Sequence, residues 1–592
     1  MPKDVYFIST SLEANIDNTK NKIFAGNWCI SNYDQENSID KNLVLGDVWE
    51  DKKERGGDYK YLQNIIKIYS KGLSSYLNSI HGYNFSDKFW KSIFLSWLSI
   101  YLPAYYYRWK IVKKITKKKK NLKFYDLYNL ESKDAPLDTY DFHYKVSSDN
   151  YINYRIFRSL IKFFIKKNNK IKLIKKKSPN YKKKENNGDK SYWLNFKIKK
   201  IFNYFLYLIF NQNKIFIENN VFRIIDNIKL NFLLGQFPTY PNDTFSDSFG
   251  FKNFYNNKKT NLKRRRSHNL RLGKNDEFTK FIETNMRDDL PICFIEGFDN
   301  LFKYMKKISI KPKIILSSHN HYFNELFKVW IAYLREKKYS KLFIVSHGGG
   351  GFLKYPSCLK FESQISDKKI NWHKSNQINE IQLPASKFLT RKTIKSSNEF
   401  ISYVEGPTTL FPSRIGYGTI NNGSPNLHAN FTDFYKRLKK NLKKDIIFLP
   451  KKEYEVDTTK YLRNYLSHNQ IKENNSFNKY NKRSKLNILS YPETTFSESL
   501  TTKPTILLYD KEKWQFDIKF KKIYNSLIKN KILFHDPKKA ADHINLISEN
   551  INQWWQTRSV QQVVGEFSKK MCMVTENSID IWVKELKKNI RD

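Results

Sequence analysis

The stretch that most constrains this chain is Lys341-Leu-Phe-Ile-Val-Ser-His-Gly-Gly-Gly-Gly-Phe352, an apolar run that stops at a histidine followed by four glycines. Leu342–Val345 has the apolar, β-branched and aromatic character of a strand buried on both faces of a parallel sheet. The glycines are expected to let the backbone take φ > 0 and to let another group approach closely. Upstream, Lys313–Ser317 reads as a second strand, and Phe323, Leu326, Phe327, Trp330, Ile331 and Leu334 form one apolar helical face between the two. Strand, helix, strand is a right-handed crossover. Ligands of such open sheets collect beyond the carboxyl ends of the strands, where His347 and Gly348–Gly351 fall. No Gly-Lys-Ser/Thr follows, so the loop is not a P-loop, and the G-x-G-x-x-G dinucleotide pattern is absent. Taken alone, the same residues also suit a tight turn with a hydrogen-bonded loop histidine.

A chain of 592 residues accommodates two or three domains. Its 106 Lys+Arg against 57 Asp+Glu leave a formal charge of +49, which points first to nucleic acid or an anionic membrane surface. Lysine is abundant together with Asn, Ile, Tyr and Phe, the mark of AT-rich coding, and the basic runs Lys117–Lys120 and Lys182–Lys184 are scattered. A nucleic-acid arm would interleave such lysines with aromatics and arginines. Nucleic acid is therefore not the expected partner, whereas Arg264-Arg-Arg266 keeps an anionic surface contact open. Aromatic content of 16% and hydrophobic content of 40% exclude wholesale disorder. Cys29, Cys293, Cys358 and Cys572 lie far apart, which argues against zinc or a disulfide framework and for a reducing cytoplasm. The N-terminus lacks the basic-then-apolar design of a signal segment. Phe89–Trp109, with Lys91, Pro103 and many tyrosines, reads as a buried or interfacial aromatic helix rather than a membrane span.

In chain order, Val5–Ser9 and Lys22–Cys29 read as strands, and Tyr61–His81 and Phe89–Tyr107 as helices. A helical, lysine-rich insertion follows over about 110–235, with Asn168–Lys190 as a flexible, solvated part. Beyond the glycine loop, Glu362 and Asp367 with Trp372 could line a sugar or nucleotide pocket or be solvated loop acids. A second α/β unit comprises a helix from Phe431 to Leu442, strands at Asp445–Pro450, Asn487–Ser490 and Pro504–Tyr509, and a polar insertion at Arg463–Lys485. These blocks predict an N-terminal α/β domain over 1–400 and a C-terminal one over 401–592, with the helix around Trp554 packing back on the first. Thr494-Thr-x-x-Glu498 fits a capping box. It equally fits a turn whose hydroxyls and N–H groups hold a phosphate, with Glu498 accepting from ribose hydroxyls.

Together these pieces resemble the large transferases encoded with O-antigen and surface-carbohydrate clusters. The resemblance rests on Ser9-Thr-Ser-Leu-Glu13, Gly26-Asn-Trp-Cys29, His81-Gly82, Glu296-Gly-Phe298, Phe327-Lys-Val-Trp330, His347-Gly-Gly-Gly350, and Thr494-Thr-Phe-Ser-Glu-Ser-Leu500 through Pro504-Thr-Ile506. More distantly, the chain is similar to CDP-glycerol glycerophosphotransferases. The resemblance implies a GT-B-like fold of two Rossmann-like domains facing across a cleft, with the donor nucleotide on the C-terminal side. It implies transfer of a sugar, or a polyol phosphate, from a nucleotide-activated donor to a glycan or lipid-linked glycan. His347 would be the base or phosphate contact. Gly348, Gly349, Gly350, Thr494 and Thr495 would hold donor phosphates and Glu498 the ribose, and Glu296, Glu362, Asp367, His319 and His321 are candidates for the pocket or acceptor side. No Asp-x-Asp pair follows a strand, so neither metal nor cofactor is expected. The competing classes are a basic nucleic-acid binder and a non-catalytic relative. The chain departs from the family's usual histidine or tyrosine before proline, carrying Leu449-Pro450-Lys451-Lys452 instead.

Overall fold

A computed structural model describes residues 4–591 except 15, 18–19, 31–42, 120, 131–134, 167–170, 180–213, 219–220, 237–244, 246–254, 309, 356–359, 390–398, 407, 417–418, 421–427, 452–458 and 474–476. The first of its three larger sheets joins β1 (Val5–Ile8), β2 (Lys22–Phe24), β3 (Leu122–Tyr128) and β4 (Ile171–Lys177) in the order β2-β1-β3-β4. The second runs β5 (Ile215–Ile217), β6 (Ile314–Ser317), β7 (Lys341–Val345), β8 (Lys368–Asn371) and β9 (Glu380–Gln382) side by side in chain order. After β10 (Phe400–Val404) comes a small separate pair, β11 (Thr408–Thr409) and β12 (Thr419–Ile420). β13 (Ile446–Leu449), β14 (Ser484–Leu489), β15 (Thr505–Leu508) and β16 (Leu533–Phe534) then complete the third sheet in the order β13-β10-β14-β15-β16. All the pairings within these sheets are parallel.

The second and third sheets are the two α/β units the sequence announces. Residues 1–400 hold two separate sheets, because the stretch expected to be one insertion contributes β3 and β4 and the helices Thr139–Ser148 and Asn150–Ile165 to the first. Its Lys175–Lys177 run closes β4, an edge strand, where lysines deter pairing with another chain. Of Asn168–Lys190, only residues 171–179 are described, and Lys182–Lys184 lie outside the described residues.

Side-chain alternation explains how the second sheet is covered. Phe216, Ile315, Leu342 and Ile344 join the large core with the aromatic helices Lys52–His81 and Asp87–Lys118 and with the first sheet. Ile215, Ile217, Ile314, Leu316, Phe343 and Val345 face the other way, onto Ile579, Trp582 and Leu586 of the helix Ser578–Arg591. The Asp87–Lys118 helix is apolar nearly all round because protein surrounds it. No described helix is long and apolar enough to cross a membrane.

The C-terminal return begins just after Trp554, where Phe567 meets Phe352 at 5.9 Å and Lys374 N donates to Lys570 O at 2.9 Å, and is completed by the last helix. Trp554 packs on His543 and Trp555 beside the third sheet, whereas Trp582 reaches the second: its Nε1 donates to Pro384 O at 2.9 Å and its ring meets Phe222 edge-on at 4.9 Å. Trp582→Ala should therefore cost about 3–5 kcal/mol in a denaturant titration, the range for emptying a large buried aromatic site. A loss below about 1 kcal/mol would show that the helix does not anchor the second sheet.

Candidate functional site

The parallel strands of the second sheet deliver polar residues to one edge. Glu218 follows β5, Ser318 and His319 follow β6, Ser346 and His347 follow β7, and Trp372 and His373 follow β8. In the third sheet the chain leaves β10 for β13 on one side and then passes back to β14 on the other, which opens a crevice between the carboxyl ends of β10 and β14. There Gly406 N donates to Ser490 Oγ at 2.9 Å, and the helix Thr494–Leu500 begins four residues beyond.

These two edges touch. Gly349 N donates to Thr494 Oγ1 at 3.1 Å. A Cβ at position 348 would stand 2.2 Å from that same oxygen, one at 349 would stand 2.5 Å from Ser497 Oγ, and one at 351 would stand 2.3 Å from the His373 ring. None of these glycines has a positive φ, so the expected left-handed backbone is not why glycine is there; close approach is. Gly350 faces the Glu493 side chain. The loop then pairs with the C-terminal half: Lys354 N donates to Gln515 O at 2.8 Å and Asp517 N to Phe352 O at 2.9 Å.

The threonines are the first two residues of their helix and Glu493 is the cap, so the capping-box reading does not hold. Thr495 Oγ1 shares a 2.6 Å hydrogen bond with Tyr491 Oη. Glu498 lies half-buried further along, and its carbonyl accepts from Thr502 Oγ1. Ser497 Oγ is buried against Gly349 with no hydrogen-bond partner in the structure, a polar atom aimed at the seam between the two edges.

His347 keeps an exposed face, with protein packed close around the rest of the ring. Desolvation pushes its imidazolium down to about 4; His319, His321 and Lys387 act in the same direction and Glu362 opposes. Water at the open face softens that shift without changing its sign. The His319 ring stands edge-on to His347 at 6.4 Å and is likewise depressed, by burial, against the pull of Glu218. Glu218 fixes that loop by accepting from Ser317 Oγ at 2.6 Å, Ser318 N at 3.0 Å and Asn320 N at 3.1 Å. Aromatic contacts extend the cluster: His319 lies 5.7 Å from Phe323, and Phe323 stacks on His143 at 5.3 Å. Burial and the adjacent Arg414 hold His143 well below the ordinary histidine value.

Of the residues singled out by sequence, the fold brings His347, the glycines and Thr494 together, with His319 alongside. His321 and Glu362 sit behind them. His321 Nδ1 meets Ser317 Oγ at 2.8 Å, its Nε2 lies 3.4 Å from Glu362 Oε1, and Lys369 Nζ is 3.2 Å from Glu362 Oε2. Burial would raise the Glu362 carboxyl, but Lys369 and the two histidines outweigh it and hold the group down at about 2. Asp367 lies elsewhere, at the amino edge of the second sheet, where it accepts from Leu342 N and pairs with Arg335 and Lys88. Glu296 is locked onto Arg265 through two hydrogen bonds of 2.8 and 2.7 Å, in a cluster where the His81 and Phe298 rings also meet. The Ser9 to Glu13 motif is a third carboxyl-edge loop, beyond β1. Buried Glu13 accepts from Ser9 Oγ and Thr10 N, each at 2.8 Å, and burial pushes its carboxyl up to about 7.

Sequence reasoning missed Glu218, Lys387, His143 and Arg414. It also missed a 3.2 Å pair between Glu405, at the carboxyl end of β10, and His428. Glu218 and Glu405 each directly follow a short apolar strand, the same signal that singled out His347. Among the described residues, no group of three His, Cys, Asp or Glu is placed to hold a metal ion.

A parallel α/β protein with a polar, partly desolvated seam between two carboxyl edges has the build of an enzyme acting on a bound ligand. The chain belongs to the LIC12162 family of transferases, whose family model matches residues 5–586. No curated protein matches it in sequence. Among solved structures it is similar to the S. aureus MnaA–UDP co-structure at 9% identity and a TM-score of 0.31, covering 50% of this chain and 81% of that one. It is similar to TarM at 12% identity and a TM-score of 0.31, covering 50% and 58%. At such scores these likenesses say nothing of the site's chemistry.

Two outcomes test the site as built. Gly348→Ala must displace Thr494 or the loop, so its melting temperature should fall by more than that of Thr494→Val, which loses one hydrogen bond worth about 1 kcal/mol. An alanine tolerated without loss would mean that the seam is open. Separately, the buried His373 is pushed down to about 4, chiefly by burial, against an ordinary value of 6.5. The unfolded chain therefore binds one more proton at this position between those limits, so the stability His373 contributes is fully present above about pH 6.5 and is lost as pH drops toward 4. His373→Gln should flatten that slope in melting curves taken across the window, and an unchanged slope would contradict the assignment.

Proposed function

We propose that this transferase moves a sugar from a nucleotide-activated donor to a glycan or lipid-linked glycan at the cytoplasmic face of a membrane. One observation carries the reading: a neutral, partly exposed histidine leads a side-chain-free loop that abuts the Thr494 turn at a sheet switch point. The donor diphosphate lies along Gly348–Gly350 and the hydroxyls of Thr494 and Thr495, and Glu498 takes the ribose. The acceptor hydroxyl is held against the sugar. Its oxygen bonds to the anomeric carbon as the carbon–oxygen bond to phosphate breaks, and the diphosphate departs with the electron pair. His347, unprotonated at neutral pH, takes the hydroxyl proton. Lys387 and Arg414 supply positive charge toward the leaving diphosphate. The reading needs no metal, and the excess of lysine favours an anionic membrane over nucleic acid as the polyanionic neighbour.

A thermal-shift panel of CMP-, CDP-, UDP-, GDP- and dTDP-linked donors should give one class that raises the melting temperature by mass action. With that donor, His347→Ala should lower turnover by about 10²–10⁴ at an unchanged melting temperature, and wild-type turnover should survive EDTA. A variant that melts early yet turns over normally when folded would return His347 to a structural role. Salt-sensitive binding to random DNA with no donor shift would favour a nucleic-acid binder instead.

A further inference from the structure

The helix Ile224–Leu233 follows β5, at the free edge of the second sheet. Its inner face is ordinary: Asp226, Leu230 and Asn231 are buried, and Leu230 shares a core with Trp582 and Leu586. Its outer face is not. Ile224, Ile225, Ile228 and Phe232 are 79, 77, 51 and 68% exposed. The spacing i, i+1, i+4, i+8 puts them on one stripe of the helix. Isolated exposed apolar residues are unremarkable, but a contiguous stripe of four large ones marks a contact surface.

The surroundings indicate the partner. Lys229 is exposed on the same helix, and Arg223 stands just ahead of it, paired with Asp226. The helix Ser578–Arg591 packs alongside and presents Lys584, Lys587 and Lys588 to solvent. Exposed Asp580 and, just ahead of the helix, exposed Glu576 are the counter-charges there, while Glu585 is paired with Lys368. We infer that this face docks on an anionic lipid surface, the apolar stripe entering the headgroup boundary and the flanking lysines meeting phosphates. A second copy of the chain fits less well. A two-fold contact would set this patch against itself, lysine facing lysine, on a protein whose formal charge is already +49. The inference deepens the proposed transfer to a lipid-linked acceptor and rests on that reading for its purpose, though its test needs no turnover.

The full chain is sedimented with vesicles of phosphatidylcholine alone or mixed with phosphatidylglycerol. Two variants are compared with it: Ile224→Ser, Ile228→Ser and Phe232→Ser together, and Lys584→Glu, Lys587→Glu and Lys588→Glu together. The wild type should bind the mixed vesicles and release them at high salt. Each variant should partition at least tenfold less while keeping its melting temperature. Three results would each overturn the inference: a wild type that ignores anionic vesicles, a serine variant that binds like the wild type, or a serine variant that melts early, which would mean that the chain itself covers the stripe. A change from dimer to monomer in the serine variant would assign the face to a second copy and likewise overturn it. Vesicle binding without any donor-induced thermal shift would count against the donor and leave the lipid contact standing.

Discussion

The structure depends on a contact that only a backbone without side chains can make. Gly348 and Gly349 run so close to Thr494 and Ser497 that any Cβ would fall inside van der Waals distance. This approach brings the carboxyl edge of the second sheet to the switch point of the third. The rest of the loop secures it: the Phe352 ring lies tilted on Phe516 at 4.9 Å and edge-on to Phe567 at 5.9 Å, and Leu353 bridges to Phe516. The helix Ser578–Arg591 then crosses back to the far face of the second sheet. The seam is thus held from both ends of the C-terminal half, so the geometry around His347 is set by packing rather than by a single loop.

Electrostatics gives that seam its chemical character. His347, His319, His143 and His373 are all depressed chiefly by burial, among cations such as Lys369, Lys387 and Arg414. A neutral imidazole in a cationic environment can take a proton while its neighbours favour an anion. Arg108 plays a mechanical part nearby. Buried without a carboxylate, it is pushed down to about 9, and it donates to Ala104 O at 2.6 Å, Pro412 O at 2.8 Å and Val146 O at 3.0 Å. It thereby ties the segment beyond β11 to the helical layer, which places Arg414 beside His143.

The strands that could be read from sequence are those whose apolar runs end in abrupt punctuation. β7 stops at His347 and the glycines, and β14 stops shortly before Pro492. β8 was hidden because Lys368 and Lys369 interrupt its pattern, although Lys369 is buried against Glu362. β10 was legible in principle, since Phe400–Val404 is buried throughout, but nothing before it signals a helix or turn within the described residues. The lysine-rich stretch misled for a related reason: an edge strand can carry lysines that a central strand cannot. Glu218 ends an apolar strand as His347 does, but its place beside His319 comes from the order of β5 and β6 in the sheet, and Arg414 reaches His143 through the segment that Arg108 holds; neither neighbour is written in the local pattern. Glu362 and Asp367 show the same limit in reverse. Close neighbours in sequence, they are separated by the strand geometry, one behind the cluster and the other at the amino edge.

Hydrogen exchange resolved to single amides, on the wild-type chain without ligand, is the most direct measurement of whether the glycine loop and the Thr494 turn form one unit. If they do, the Gly349 amide, bonded to Thr494 Oγ1, should open with the same free energy as the amides of Ser497 and Thr501, and a bound donor should protect all three together. If Gly349 instead exchanges at the unprotected rate while Ser497 and Thr501 stay closed, the seam does not exist in solution and the site built on it falls.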